Sequence, residues 1–277
     1  MASLGQGHAP AVIKSRSVLR APLVLAVIAT SVPAWADSAP GLEVNVPVTA
    51  GITAGALAVW GGAELAKGEL TPSTCRWCEP PALDRHVRAQ VVWSDPSAAG
   101  LASDVLVFAV PASLATADFF LAGRDVRRAT EDVLVSMEAV ALAAVATQVT
   151  KFSVARRRPA AWAAGVRTGP DDDRAFFSGH VATAFAAAGA FGTVAKLRGY
   201  PEWPVVYAVG FAGAAAIGYL RMAADEHWLT DVLAAAAVGT TIGVGVPLLF
   251  HRGDQESKLT ITPLLRGATG LGFSGTF

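Results

Sequence analysis

Net charge is absent from this 277-residue chain: 22 Lys+Arg face 22 Asp+Glu, and charged residues make up only 16% of it. Zero net charge excludes the basic footprint of a nucleic-acid binder. Cysteine is nearly missing too, with only Cys75 and Cys78 in a Cys-Arg-Trp-Cys run. One CxxC leaves a tetrahedral zinc site half built, and the βαβ pattern that supports a thioredoxin-like redox motif is not seen around it. Aromatics are scarce at 8% while hydrophobic residues reach 53%, so the apolar content is mostly Ala, Val and Leu. That content excludes a disordered chain, and small side chains suit close helix–helix approach. The expectation is an all-α chain, a six-helix transmembrane bundle with a short C-terminal β-hairpin.

Residues 1–36 read as an export signal. Lys14, Arg16 and Arg20 precede the apolar run Ala21 to Val32, and Ala34-Trp35-Ala36 supplies a small-x-small cleavage pattern. The alternative is a retained anchor helix. In an exported chain, Cys75 and Cys78 read as a local disulfide. Residues 37–98 then form an N-terminal helix and a periplasmic loop, 99–252 a helical core, and 253–277 a β-like tail. That tail alternates apolar and small polar residues around a Gly-rich turn.

Six apolar stretches make up the body, at roughly 44–66, 99–122, 132–150, 179–196, 203–220 and 228–250, each near the length that spans a bilayer. Asp104, Asp118, Glu138, Gln148 and Asp231 interrupt them, and in a span such residues face the bundle interior or a polar cavity. A soluble, Ala-rich helical domain is the competing reading. Basic loops at 123–128, 196–198 and 251–252 are cytoplasmic by the positive-inside rule, which places loops 151–178 and 221–227 in the periplasm. With residue 37 also periplasmic the crossings do not add up, and the Gly-rich first stretch is the one to demote to a half-inserted helix.

Three polar clusters fall beside the loops on that second side. Lys151 and Arg158 are seven residues apart, about two helical turns, so both project from one face if the helix continues to Pro159; two adjacent cations suit a phosphate, or equally a snorkelling edge. Ser178 is a natural N-cap, and Gly179 lets backbone approach an anion at a helix start. His180 stands in the first turn, by itself as readily structural as functional. The preceding Asp171-Asp172-Asp173 reads as a solvated acidic turn and not a metal site. Last, His227 and Asp231 share a face at the start of the final helix, so the carboxylate can orient the imidazole, as a base–orienter pair or a structural one.

Together these clusters resemble the three-part signature of the type 2 phosphatidic acid phosphatase superfamily: Lys-x6-Arg-Pro, Pro-Ser-Gly-His and Ser-Arg-x5-His-x3-Asp. The chain offers Lys151-x6-Arg158-Pro159, Phe177-Ser178-Gly179-His180 and Leu220-Arg221-x5-His227-x3-Asp231. Phe177 stands where the family has Pro, which alters loop stiffness. Leu220 stands where it has Ser, which removes a potential phosphate-contacting hydroxyl.

The resemblance implies hydrolysis of a phosphomonoester or diphosphate through a phosphohistidine, with no metal or cofactor. By it, His227 attacks phosphorus, Asp231 fixes its tautomer, and His180 protonates the leaving oxygen. Lys151, Arg158, Arg221, Ser178 and Gly179 surround the non-bridging oxygens. The implied partners are a lipid phosphate and the bilayer, with the site on the periplasmic face of a bacterial inner membrane. A soluble periplasmic acid phosphatase keeps the same site; a non-catalytic lipid-phosphate-binding protein fits the Phe177 and Leu220 departures.

Overall fold

The computed structural model describes residues 41–253 and two backbone segments, 260–264 and 270–274. The expected export signal over 1–36, and the turn and end of the expected C-terminal hairpin, lie outside the described residues. Thr260–Leu264 and Gly270–Ser274 pair antiparallel.

The described helices are α1 (Val46–Leu65), α2 (Lys67–Leu70), α3 (Ala82–Val91), α4 (Pro96–Leu121), α5 (Val126–Val154), α6 (Pro159–Ala164), α7 (Gly179–Leu197), α8 (Trp203–Ala223) and α9 (Leu229–Phe250). The expected count of six is corrected to nine among the described residues. The six long helices fall on the six apolar stretches; α2, α3 and α6 are short helices within polar connections, where no apolar run announces them.

Local chemistry sets the long helices' ends. Asp95 accepts from the Ser97 and Ala98 amides ahead of α4, and Asp125 caps α5 through Arg127 and Arg128. Ala155, in the left-handed region, stops α5 at Val154.

Fourteen of the nineteen α7 residues are buried, which makes it the axis that α4, α5, α8 and α9 surround. Its Ala- and Gly-rich sequence serves backbone proximity. A Cβ on Gly239 or Gly243 of α9 would lie 2.3 Å from the carbonyl oxygen of Ala182 or Ala186 on α7. Only glycine permits that approach.

Five described helices, α1, α4, α5, α8 and α9, are long and apolar enough to cross a membrane. Their outer faces are inverted relative to a soluble protein. On α1 the buried residues are Thr49, Thr53 and Ala56, whereas Val48, Ile52, Val59 and Trp60 are exposed. On α4, Ser103 and Asp118 are buried while Leu101, Val105 and Phe108 face outward. Water does not reward that arrangement; hydrocarbon does.

The long helices alternate in direction. Arg198, after α7, pairs with Asp132 near the start of α5 at 2.7 Å. The Glu43 amide donates to the His251 carbonyl at 2.8 Å, and His251 Nε2 lies 2.7 Å from Glu138 Oε2. Residues 41–45 thus sit at the same end as the three basic loops. The crossing mismatch rested on placing residue 37 at the opposite end; α1 runs over Val46–Leu65, long and apolar enough to cross a membrane.

Candidate active site

All the motif residues lie at the end away from the basic loops. Lys151 closes α5, Gly179 and His180 open α7, Arg221 closes α8, and His227 lies two residues ahead of α9. Two local expectations are corrected. Lys151 and Arg158 do not share a helix face: α5 stops at Val154, Arg158 is the N-cap of α6, and Pro159 begins that helix instead of ending α5. His227 precedes α9 and is not part of it, because Asp231 at the third helical position accepts the Trp228 amide at 2.9 Å and starts the helix there.

Shared partners tie the clusters together. Asp104 Oδ1 lies 2.9 Å from His180 Nε2 and 3.3 Å from Arg221 Nη1. Glu226 pairs with Arg158 and, at 3.4 Å, with Arg221. A Cβ on Gly179 would meet Lys151 Nζ at 3.7 Å, and the Ser178 amide donates to the Asp231 carbonyl. His227 Nδ1 faces Asp231 Oδ2 at 3.6 Å, within ion-pair range and beyond a hydrogen bond.

Three donors here lack a partner among the described residues: Arg158 Nε, Arg221 Nε and Ser178 Oγ are buried and unpaired. Lys151 lies beside them. Buried donors without acceptors are costly to maintain, and Arg158 and Arg221 are drawn together by their shared partner Glu226. Burial pulls the His227 imidazole well below its ordinary range, and the nearby charges of Arg221, Arg158, Lys151 and His180 push the same way. Its ring is neutral at pH 7, and Nε2 is the nitrogen not turned toward Asp231.

The acidic run before α7 is not a solvated turn. Asp171 pairs with Lys67 and Arg174, and Asp173, fully buried, pairs with Arg157 and Arg167. The Asp172 side chain accepts from the Thr168 and Gly169 amides, while its carbonyl accepts from the Arg158 amide at 2.7 Å. Arg174 also reaches Glu64 of α1 and Gln148 of α5. This network seats the loop that carries Arg158. Among the described residues no group of three or more His, Cys, Asp or Glu could hold a metal.

Sequence reasoning assigned no role to Asp104, Glu226 or Arg156. Asp104 had a visible signal, a carboxylate inside an apolar run; the other two had none. Cys75 and Cys78 are joined in a disulfide.

The constellation is a group of cations, a serine and two histidines gathered at one end of a helical bundle. Residues 132–254 match the model of the PAP2 superfamily. A lipid A 1-phosphatase of Porphyromonas gingivalis is 36% identical over 93 residues, which cover 34% of this chain and 18% of that protein. The match therefore spans about a fifth of the relative's length. A transmembrane PAP2-type phosphatidylglycerolphosphate phosphatase of Bacillus subtilis aligns over 72% of this chain and 90% of its own, at 19% identity and a TM-score of 0.40.

Proposed function

We propose that the chain is a membrane-embedded phosphatase that cleaves a lipid phosphate or diphosphate through a phosphohistidine. The carrying observation is the set of unpaired buried donors on Arg158, Arg221 and Ser178, at the same end as His180 and His227 of a bundle whose outer faces are apolar. His227 Nε2 attacks phosphorus, and the bond from phosphorus to the leaving oxygen breaks as His180 gives that oxygen a proton. Asp231 faces the Nδ1 proton and balances the charge the ring acquires. Water then attacks the phosphohistidine, His180 takes up its proton, and phosphate leaves. Lys151, Arg158, Arg221, Ser178 and the Gly179 amide hold the non-bridging oxygens, with the cations stabilising charge spread over them. Glu226 gives up Arg158 and Arg221 when phosphate enters.

The basic loops lie at the far end of the bundle, which by the positive-inside rule supports a site and disulfide on the periplasmic face of the inner membrane. Gly41 then starts on the cytoplasmic side. The relative that acts on lipid A supports including lipid A 1-phosphate in a substrate panel with phosphatidic acid, phosphatidylglycerol phosphate and undecaprenyl diphosphate.

Phosphate release from that panel in mixed micelles, compared between wild type and His227→Ala with EDTA present, is the test. The expected result is release by wild type and loss by at least roughly 10⁴-fold in the variant. Equal rates would remove the catalytic claim and leave the binding-protein reading. Recovery of the chain in the soluble fraction after detergent-free lysis would defeat the membrane claim.

A further inference from the structure

Three consecutive arginines, Arg156-Arg157-Arg158, point in three directions. Arg157 pairs with Asp173 and Arg158 enters the phosphate site, whereas Arg156 is almost wholly buried at 1% exposure. Its Nη1 donates to Asp231 Oδ1 and, at 2.7 Å, to Thr230 Oγ1; its Nη2 donates to Asp84 Oδ2 at 2.6 Å. Asp84 also accepts from the Thr230 amide and hydroxyl. Asp231 is therefore held from both sides, by Arg156 on Oδ1 and by the Trp228 amide on Oδ2, the oxygen that faces His227.

Arg156 is itself clamped. The Trp77 ring lies 3.8 Å from its guanidinium carbon. Trp77 sits inside the loop that the Cys75–Cys78 disulfide closes. Backbone bonds tie that loop to the same stretch: the Arg76 amide donates to the Ala155 carbonyl at 2.9 Å, and the Arg157 amide to the Trp77 carbonyl at 3.1 Å. Trp77 also packs on Phe176, two residues before Ser178.

We propose that the disulfide-closed loop is a positioning clamp for the nucleophile: through Trp77 it holds Arg156, and through Arg156 it fixes Asp231 against His227. Arg156 and Trp77 are positioning residues that touch no substrate. Turnover then depends on the oxidised cysteine pair. A dithiol such as dithiothreitol breaks the sulfur–sulfur bond, delivering two electrons and two protons to form two thiols while it closes to its own cyclic disulfide, and the loop loses its closure. Both cysteines are half-buried, so the reagent has access.

The inference rests on His227 and Asp231 acting as proposed above. The experiment measures kcat and KM for phosphate release from a lipid phosphate in mixed micelles, in wild type, Arg156→Lys, Trp77→Ala, the double variant Cys75→Ser/Cys78→Ser, Asp231→Asn, and Arg156→Lys combined with Asp231→Asn. Expected are kcat losses of roughly 10- to 100-fold for Arg156→Lys, of the size seen for groups that orient an active ligand, and smaller losses for Trp77→Ala and the cysteine variant. KM stays within about twofold throughout, because no phosphate contact is removed. Dithiothreitol lowers wild-type kcat to the level of the cysteine variant and does not change that variant.

Groups that act as a unit give non-additive losses, so Arg156→Lys adds little once Asp231 is Asn. Multiplying losses would mark Arg156 as merely structural and overturn the proposal. So would wild-type kcat in both the cysteine variant and Trp77→Ala, which decide the question if Arg156→Lys does not fold. Should His227→Ala keep wild-type activity, the proposed function fails; if it is inactive while the clamp variants are unaffected, only the clamp fails.

Discussion

Gly243→Ala tests how closely the site depends on its scaffold. The added methyl would sit 2.3 Å from the Ala186 carbonyl oxygen and 2.8 Å from its Cα. Both neighbours are backbone, so no side chain can turn aside and the two helices must part by about 1 Å to restore van der Waals distance. Such overpacking costs roughly 1–3 kcal/mol, partly offset by the gain of up to about 1 kcal/mol that alanine brings to a helix. Gly245→Ala is the matched control, since its methyl meets only Leu249 Cδ1 at 4.0 Å. Thermal unfolding in detergent should show Gly243→Ala melting several degrees below wild type, at about 2–4 °C per kcal/mol, and Gly245→Ala at or above it. The functional consequence is larger, because α7 begins with Gly179 and His180 while His227 and Asp231 flank the start of α9. A shift of about 1 Å between them should lower kcat by around 10²-fold. If Gly243→Ala matched Gly245→Ala in both melting and rate, the close α7–α9 seam and its control of the site would be refuted.

His180→Ala should lower phosphate release by roughly 10²–10⁴-fold, the range for losing a positioned acid, and Asp231→Asn should cost less than His227→Ala, because it disturbs the nucleophile's orientation without removing it; the reverse order in steady-state rates would reassign the roles. The depressed His227 pKa sets a stability trend: the unfolded chain takes up this proton as pH falls below about 6.5 and the folded chain does not, so its contribution is full above that pH and is lost below it, by at most about 1.4 kcal/mol per pH unit. Wild type should therefore lose more stability than His227→Gln between pH 7.5 and 5.5, and parallel melting curves would contradict a buried neutral ring. Arg198→Ala, at the far end, leaves fully buried Asp132 without its cation, which should cost about 3–5 kcal/mol while KM stays unchanged for the protein that remains folded.

The positions of the six long helices and the three polar clusters were legible in the sequence because each depends on neighbours a few residues apart. Apolar runs of bilayer length marked α1, α4, α5, α8 and α9, and the spacing around Lys151, Ser178 and His227 marked residues that gather at one end of the bundle. Local reasoning erred where a distant partner decided the outcome. The Asp171–Asp173 run has the composition of a solvated turn, yet cations from 67, 157, 167 and 174 pair with it. Lys151 and Arg158 have helical spacing, yet the left-handed Ala155 separates them and the Trp77 loop pairs with the strand-like segment that follows. That Arg156 pairs with Asp84 and Asp231, which end of the bundle residues 41–45 occupy, and that Asp104 bridges Arg221 to His180 follow only from the tertiary packing. Periodicity and capping are properties of a short stretch of chain; a buried charge takes its role from whichever partner the fold delivers to it.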